Sequence, residues 1–193
     1  VPDLGTSEEL RARLGAEGPT LAFAGRLTRQ KALEVALQAV QRLPGVTLLV
    51  AGDGPERASL ERAAHDLGLD GRVRFLGPQT RLAVLELFRA ADAALLSSAW
   101  ENFPHTVVEA LAAGTPVIAT AAGGVAEVVH DGVNGLLVPI GDADALAAAV
   151  ERYLADDALR DRLRGAAAPS VEHLGTEHVY GRLERILLEA SGA

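Results

Sequence analysis

The stretch "SSAWENFPHTVVEALAAGTPVIAT", residues 97–120, decides how the chain is read. It leaves an apolar run, turns through Pro104, becomes helical over "TVVEALAAG" and returns to an apolar run at "TPVIAT". That order, strand to helix to strand, is the signature of a βαβ unit. Two acids sit in it, Glu101 in the loop and Glu109 in the helix, eight positions apart.

The same alternation extends in both directions. The short apolar runs "TLAFAG" (20–25), "VTLLVAG" (46–52), "RVRFLG" (72–77), "AALLSSA" (93–99), "TPVIAT" (115–120) and "NGLLVP" (134–139) read as strands. They lack strict polar alternation, which suits strands covered on both faces. Helical segments lie between them, such as "KALEVALQAVQRL", with Leu33, Leu37 and Val40 at helical spacing. The expected fold is α/β: a doubly wound, mainly parallel sheet of about six strands, Rossmann-like. Residues 1–19 are polar and read as an entry helix or linker. Residues 20–170 read as the sheet domain, and residues 171–193, with "EHVYGRLERILLEA", as a C-terminal helix.

Composition narrows the function. The chain has 193 residues, enough for one domain with a real core. Its net charge of −8 argues against general nucleic-acid binding, which calls for a basic footprint. It has no Cys, which removes disulfides, thiolate metal sites and a Cys nucleophile. No apolar run reaches the roughly 20 residues that cross a bilayer, and no signal peptide opens the sequence. The chain begins at Val1 and contains no Met, so a piece of a longer protein or a processed chain is expected.

In doubly wound sheets ligands bind beyond the carboxyl ends of the strands. Five loops share that edge: "GRLTRQK" (25–31), "GDGPE" (52–56), "GPQT" (77–80), "WENFPHT" (100–106) and "AAGGV" (121–125). In the first, Arg26 stands at a strand end and Lys31 at a helix entry. Two cations there oppose the helix dipole, a conflict that a bound polyanion resolves. Solvated surface charges are the plainer reading of the same pair. "GDGPE" is explained by a turn in which Asp53 or Glu56 complements a helix start, and it is not a G-x-G-x-x-G fingerprint. Gly123 and Gly124 free two backbone N–H groups for an anion or a sugar, or simply make a tight turn.

Eight helical steps would separate Glu101 from Glu109 by about 12 Å, against the roughly 5 Å of a close catalytic carboxylate pair. Acids so placed suit two hydroxyl-bearing ends of one elongated ligand, with the helix start between them for phosphate. A first-turn acid and an exposed loop acid are the plainer reading of the same spacing.

Taken in order, "GRLTRQK", "GDGPE", "RVRFLG", "ENFPHTVVEALAAGTPVIAT" and "AAGGVAEVVHDGVNGLLVP" resemble the C-terminal half of a GT-B glycosyltransferase. The likeness is to retaining family 4, the glycosyl transferases group 1, and covers about residues 20–155. Its most specific element is the E-x7-E arrangement of Glu101 and Glu109. The resemblance implies a nucleotide-sugar donor such as a UDP- or GDP-hexose, a retaining hexosyl transfer, and no metal or other cofactor. By position, it implies that Gly25, Arg26 and Lys31 hold the donor diphosphate and that Glu101 positions the donor sugar. The backbone of Asn102, Phe103 and Pro104 would meet sugar hydroxyls, and Thr106 and Val107 would offer N–H groups to phosphate. Glu109 would hold the ribose hydroxyls, and Gly77, Pro78 and Gln79 would flank the base.

The resembling enzymes have two such halves with the active site between them, and the acceptor-binding half would precede Val1. The isolated half is expected to bind donor nucleotide and to transfer little. A cytoplasmic location is implied, at the inner membrane face if the other half associates with the bilayer. Two departures stand out. Lys31–Ala32 replaces a frequent Lys-Gly, a minor change if the backbone there is helical, and Asn102 stands where Gly is common. The alternatives are a non-catalytic nucleotide-binding module of the same fold and a nucleotide-sugar epimerase-like half domain.

Overall fold

The computed structural model describes residues 4–174. Six strands, β1 (Thr20–Ala24), β2 (Thr47–Ala51), β3 (Val73–Gly77), β4 (Ala93–Leu96), β5 (Val117–Thr120) and β6 (Gly135–Val138), form one sheet in the order β3-β2-β1-β4-β5-β6. Every pairing is parallel. Chain order therefore reverses between the neighbours β1 and β4, the switch point at which a crevice opens beyond the strand ends.

Burial explains the unalternating strands. Every residue of β1, β4 and β5 is buried, so each face of the sheet needs an apolar side chain. On one face Leu21, Phe23, Leu48, Val50 and Ile118 pack with helices α2 (Leu33–Gln41), α3 (Arg57–Asp66) and α7 (Ala143–Ala155). On the other, the smaller Ala22, Ala24, Ala51, Ala94 and Ala119 leave room for Phe88 of α4 (Arg81–Ala90), for Val107 and Leu111 of α5 (His105–Ala112), and for Val125 of α6 (Val125–Val128). Helix α8 (Asp157–Val171) contributes Leu159 and Leu163 to the first core and Ala167 and Val171 to the second.

Within residues 4–19 the chain forms a helix. Helix α1 (Ser7–Leu14) opens on a Thr6–Glu9 capping box and buries Leu10. Its Arg11 donates to the Ala90 carbonyl at 3.0 Å and pairs with Asp92 at 3.2 Å. Asp92 also accepts the Thr20 N–H at 2.8 Å, so this carboxylate ties the entry helix to the start of the sheet. Helix α8 runs through Pro169 to Val171, three residues past the end of "DALRDRLRGAAA". The C-terminal helix expected at "EHVYGRLERILLEA" lies outside the described residues.

The segment before α2 differs from a continuous helix. A 3-10 turn, Arg29–Lys31, is followed by Ala32 at φ 44°, ψ 44°. Among the described residues Ala32 is the one non-glycine with positive φ. Its left-handed conformation costs an L-residue about 1–2 kcal/mol. Replacing Gly at this point is thus not minor, because the backbone there is left-handed and not helical.

Candidate functional site

Parallel strands send all their loops to one edge, and the loops pack backbone on backbone. A Cβ on Gly52 would lie 1.9 Å from the Gly25 carbonyl oxygen, and one on Gly54 2.3 Å from that of Leu27. The two glycines of "GDGPE" therefore serve close approach of the β2 loop to the β1 loop, which the turn reading missed. Gly123 and Gly124 do the same between the loops after β5 and β4. Their Cβ atoms would come within 2.1 Å of the Glu101 oxygen and 2.2 Å of the Asn102 oxygen. The Gly124 N–H donates to the Glu101 carbonyl at 3.1 Å, so it is not free for an anion.

The ends of β1 and β2 with their loops, the loop after β3, and residues of α4 and α5 frame a hollow of about 630 Å³. Its walls include Gly25, Arg26, Pro78, Gln79, Thr106 and Glu109 from the expected set, joined by Asp53, Arg81 and Val84. Arg26 is exposed and has no ion-pair partner among the described residues. The Thr106 N–H has no protein acceptor among the described residues, as befits the start of a helix. Arg26, Thr106 and Glu109 thus line one hollow.

Lys31 and Glu101 are brought together beside it, not in its wall. The Lys31 ammonium forms an ion pair with Glu101 Oε1, and both side chains are largely buried, at 15% and 6% exposure. Ser98 donates its hydroxyl to the same oxygen at 2.7 Å. The Lys31 stem crosses Gly25, its Cε 3.5 Å from where a Cβ would stand. Further bonds clamp this loop pair. Ala99 N–H donates to Gln30 O at 2.8 Å, Gln30 Nε2 to Trp100 O at 3.0 Å, Ser97 Oγ to Lys31 O at 3.0 Å, and Thr120 Oγ1 to Ser98 O at 2.6 Å.

Other expected residues sit differently. Val107 has a buried side chain, and its N–H donates to the Pro104 carbonyl at 2.9 Å, so the helix's own first turn takes this amide. Gly77 is buried at the end of β3 and its carbonyl accepts the Gly52 N–H at 2.8 Å. Asn102 and Phe103 are exposed while Pro104 is buried. The Phe103 ring meets His105 edge-on at 4.9 Å. Trp100 is 54% exposed.

Three site features escaped sequence reasoning. Asp53 bonds the Gly54 N–H at 2.7 Å and lines the hollow as well as making its turn. Arg81 Nε donates to Glu109 Oε1 at 2.9 Å. Ser98 is the buried partner of Glu101. Of these, only Asp53 carried a signal, its place on the ligand edge. Among the described residues no group of three or more His, Cys, Asp or Glu is placed to share a metal ion, and no helix is long and apolar enough to cross a membrane.

Strand order and crevice together define a Rossmann-like domain of the GT-B type, with its ligand edge at the β1/β4 switch point. Residues 6–169 match the family described as glycosyl transferases group 1, and the chain belongs to that family. It is 42% identical over 155 residues to the lipopolysaccharide core biosynthesis glycosyltransferase LpsE of Rhizobium meliloti (strain 1021), across 79% of this chain and 45% of that one. It is 38% identical over 182 residues to the D-inositol 3-phosphate glycosyltransferase of Mycobacterium marinum, across 90% of this chain and 38% of the relative. The chain therefore spans less than half the length of these curated relatives. Among solved structures, sucrose-phosphate synthase from Thermosynechococcus elongatus superposes with a TM-score of 0.85 at 34% identity, over 95% of this chain and 49% of that one. Anabaena Alr3699/HepE in complex with UDP gives 0.88 at 28% identity, over 98% of this chain and 53% of that one.

Proposed function

We propose that this domain is the donor-binding half of a retaining glycosyltransferase that moves a hexosyl group from a nucleoside-diphosphate sugar to an acceptor. The observation that carries the reading is the shared hollow lined by Arg26, Thr106 and Glu109, of which Arg26 has no ion-pair partner and the Thr106 N–H no protein acceptor among the described residues. The binding of UDP-glucose by the structural neighbour Alr3699/HepE supports a nucleotide-sugar ligand.

In this reading the diphosphate lies against Arg26 and the start of α5, where a cation, a free N–H and the helix dipole all favour negative charge. The ribose hydroxyls donate to Glu109. Pro78 and Gln79 flank the base. Lys31 and Glu101 act as one unit at the sugar end: the ammonium lies close to the diphosphate, and the remaining lone pairs of Glu101 accept sugar hydroxyls. Glu101 is a positioning group, not a base. Its oxygen is already occupied by Lys31 and Ser98, which fixes its orientation. What these residues supply to catalysis is alignment of the donor and stabilisation of the charge that builds on the departing diphosphate.

The acceptor enters through a second domain not contained in this chain, so the domain alone binds donor and transfers little. The reading carries with it a cytoplasmic enzyme that needs no metal. Thermal melts with UDP, GDP, ADP and their sugars test it, because a ligand that binds only the folded state raises the midpoint. A rise with at least one of them is expected. No rise with any at millimolar concentration overturns the reading.

A further inference from the structure

Thr120 is the last residue of β5 and lies outside the five loops that carry the expected site. It is fully buried, in a strand whose other members are Val117, Ile118 and Ala119. Valine has the same branched shape and would bring no hydroxyl into the core. The hydroxyl here has a partner: Oγ1 donates to the Ser98 carbonyl at 2.6 Å. The ladder between β4 and β5 ends one step earlier, at Leu96 with Ala119. Beyond it a side chain, in place of a backbone N–H, holds the departing chain.

Ser98 is itself fully buried and passes the constraint on. Its Oγ donates at 2.7 Å to Glu101 Oε1, the oxygen that also takes the Lys31 ammonium. The segment 97–99 is tied to the β1 loop as well, through Ser97 Oγ to the Lys31 carbonyl and Ala99 N–H to the Gln30 carbonyl. Thr120 holds it from the β5 side. Of the seven buried polar residues among the described ones, four, Ser97, Ser98, Glu101 and Thr120, stand in this one cluster. Buried polarity is thus gathered behind a single carboxylate. The nucleotide end is held separately: Arg26 belongs to the loop after β1, and Thr106 and Glu109 belong to α5.

We infer that Thr120 is a positioning residue: through Ser98 it sets the direction of the Glu101 carboxylate, and with it the part of the affinity that depends on the sugar and not on the nucleotide. This rests on the donor-binding reading, and within it on Glu101 meeting the donor sugar. Without the Thr120 hydroxyl the Ser98 carbonyl is left buried and unbonded. The segment shifts to satisfy it, and the Ser98 hydroxyl moves off the Glu101 oxygen. A misplacement of about 1 Å is enough to lose hydrogen bonds made to a ligand.

The test is calorimetric titration of the chain with UDP and UDP-glucose, GDP and GDP-mannose, and ADP and ADP-glucose. The pair that the wild type binds most tightly is then followed in Thr120→Val, Thr120→Ser and Ser98→Ala. Thr120→Val and Ser98→Ala should each weaken the nucleotide sugar about fivefold or more, the worth of one hydrogen bond, and change the free nucleotide less than about twofold. Thr120→Ser keeps the hydroxyl and should bind both ligands as the wild type does. Thermal midpoints show which variants fold, and Ser98→Ala, which removes the last link of the chain, keeps the test open if Thr120→Val does not. If nucleotide and nucleotide sugar weaken equally, if neither weakens, or if Thr120→Ser loses as much as Thr120→Val, the inference fails while the donor-binding reading stands. It fails in the same way if the wild type binds a nucleotide but none of the nucleotide sugars. If the wild type binds no nucleoside diphosphate, both fail together.

Discussion

Lys31 and Glu101 form an ion pair beneath the rim of the switch-point crevice, with Ser98 donating to the same carboxylate oxygen. The two residues are 70 positions apart in sequence, so the pair exists only because β1 and β4 are neighbours. Removing one partner leaves the other charge buried and unmatched, which costs about 3 kcal/mol or more. Lys31→Met and Glu101→Gln should each lower the urea midpoint accordingly, and the double variant should regain much of the loss. Additive losses in the denaturation curves would show that the two groups do not act as a pair.

Gly123→Ala tests the loop packing. The new Cβ would fall 2.1 Å from the Glu101 oxygen, at a backbone φ of 53° that disfavours a side chain. The loop carrying Glu101 and Asn102 must move, and a loss of about 2 kcal/mol or more is expected. Nucleotide affinity should fall as well, because α5 follows that loop. A variant with wild-type stability would mean the contact yields without strain.

Ala32 supplies the converse case. Ala32→Gly relieves left-handed strain but gives back some unfolded-state entropy, so it should be neutral or stabilising by up to about 1 kcal/mol. Ala32→Val, with a branched side chain at φ 44°, should lose about 2 kcal/mol or more. Thermal midpoints of the two variants decide it. A stable Ala32→Val contradicts the observed backbone.

Tyr153 makes a pH prediction. Burial raises its phenol above the ordinary value near 10, while the Arg164 guanidinium works the other way. Its hydroxyl donates to the Asp92 carbonyl at 2.7 Å, a bond the phenolate cannot make. With a raised pKa in the folded state, this stabilisation is complete below the unfolded pKa near 10 and is lost as pH rises through the folded value. Between pH 9 and about 12 the wild type should therefore lose more stability than Tyr153→Phe in denaturant titrations. Parallel slopes for the two proteins would contradict it.

Much of this was legible in residues. The runs at 20–25, 93–99 and 115–120 lack alternation because both faces are buried, and together with the strand–helix–strand order that signalled a parallel sheet. Arg26 and Thr106 could be assigned to one rim because parallel strands deliver every loop to the same edge, and Glu109 joined them through the E-x7-E resemblance. The pairings of Lys31 with Glu101 and of Arg81 with Glu109 were not legible, since both depend on side chains meeting across separate loops. The left-handed backbone at Ala32 was not legible either, since alanine's own propensity favours a helix there, while the preceding Gln30 is bonded to the residue 99–100 backbone. The close approach of Gly52 to Gly25 was hidden for a related reason, as a glycine at a turn looks the same whether it serves the turn or a neighbour.

The central claim is that a nucleoside diphosphate occupies the hollow with its ribose on Glu109. Calorimetric titration of UDP and GDP into the chain and into Glu109→Ala tests it most directly. Losing hydrogen bonds to a charged acceptor is worth about 1.5–3 kcal/mol, so the variant should bind roughly tenfold or more weakly, with its thermal midpoint little changed. Equal affinity in the two proteins would place the nucleotide elsewhere and contradict the account.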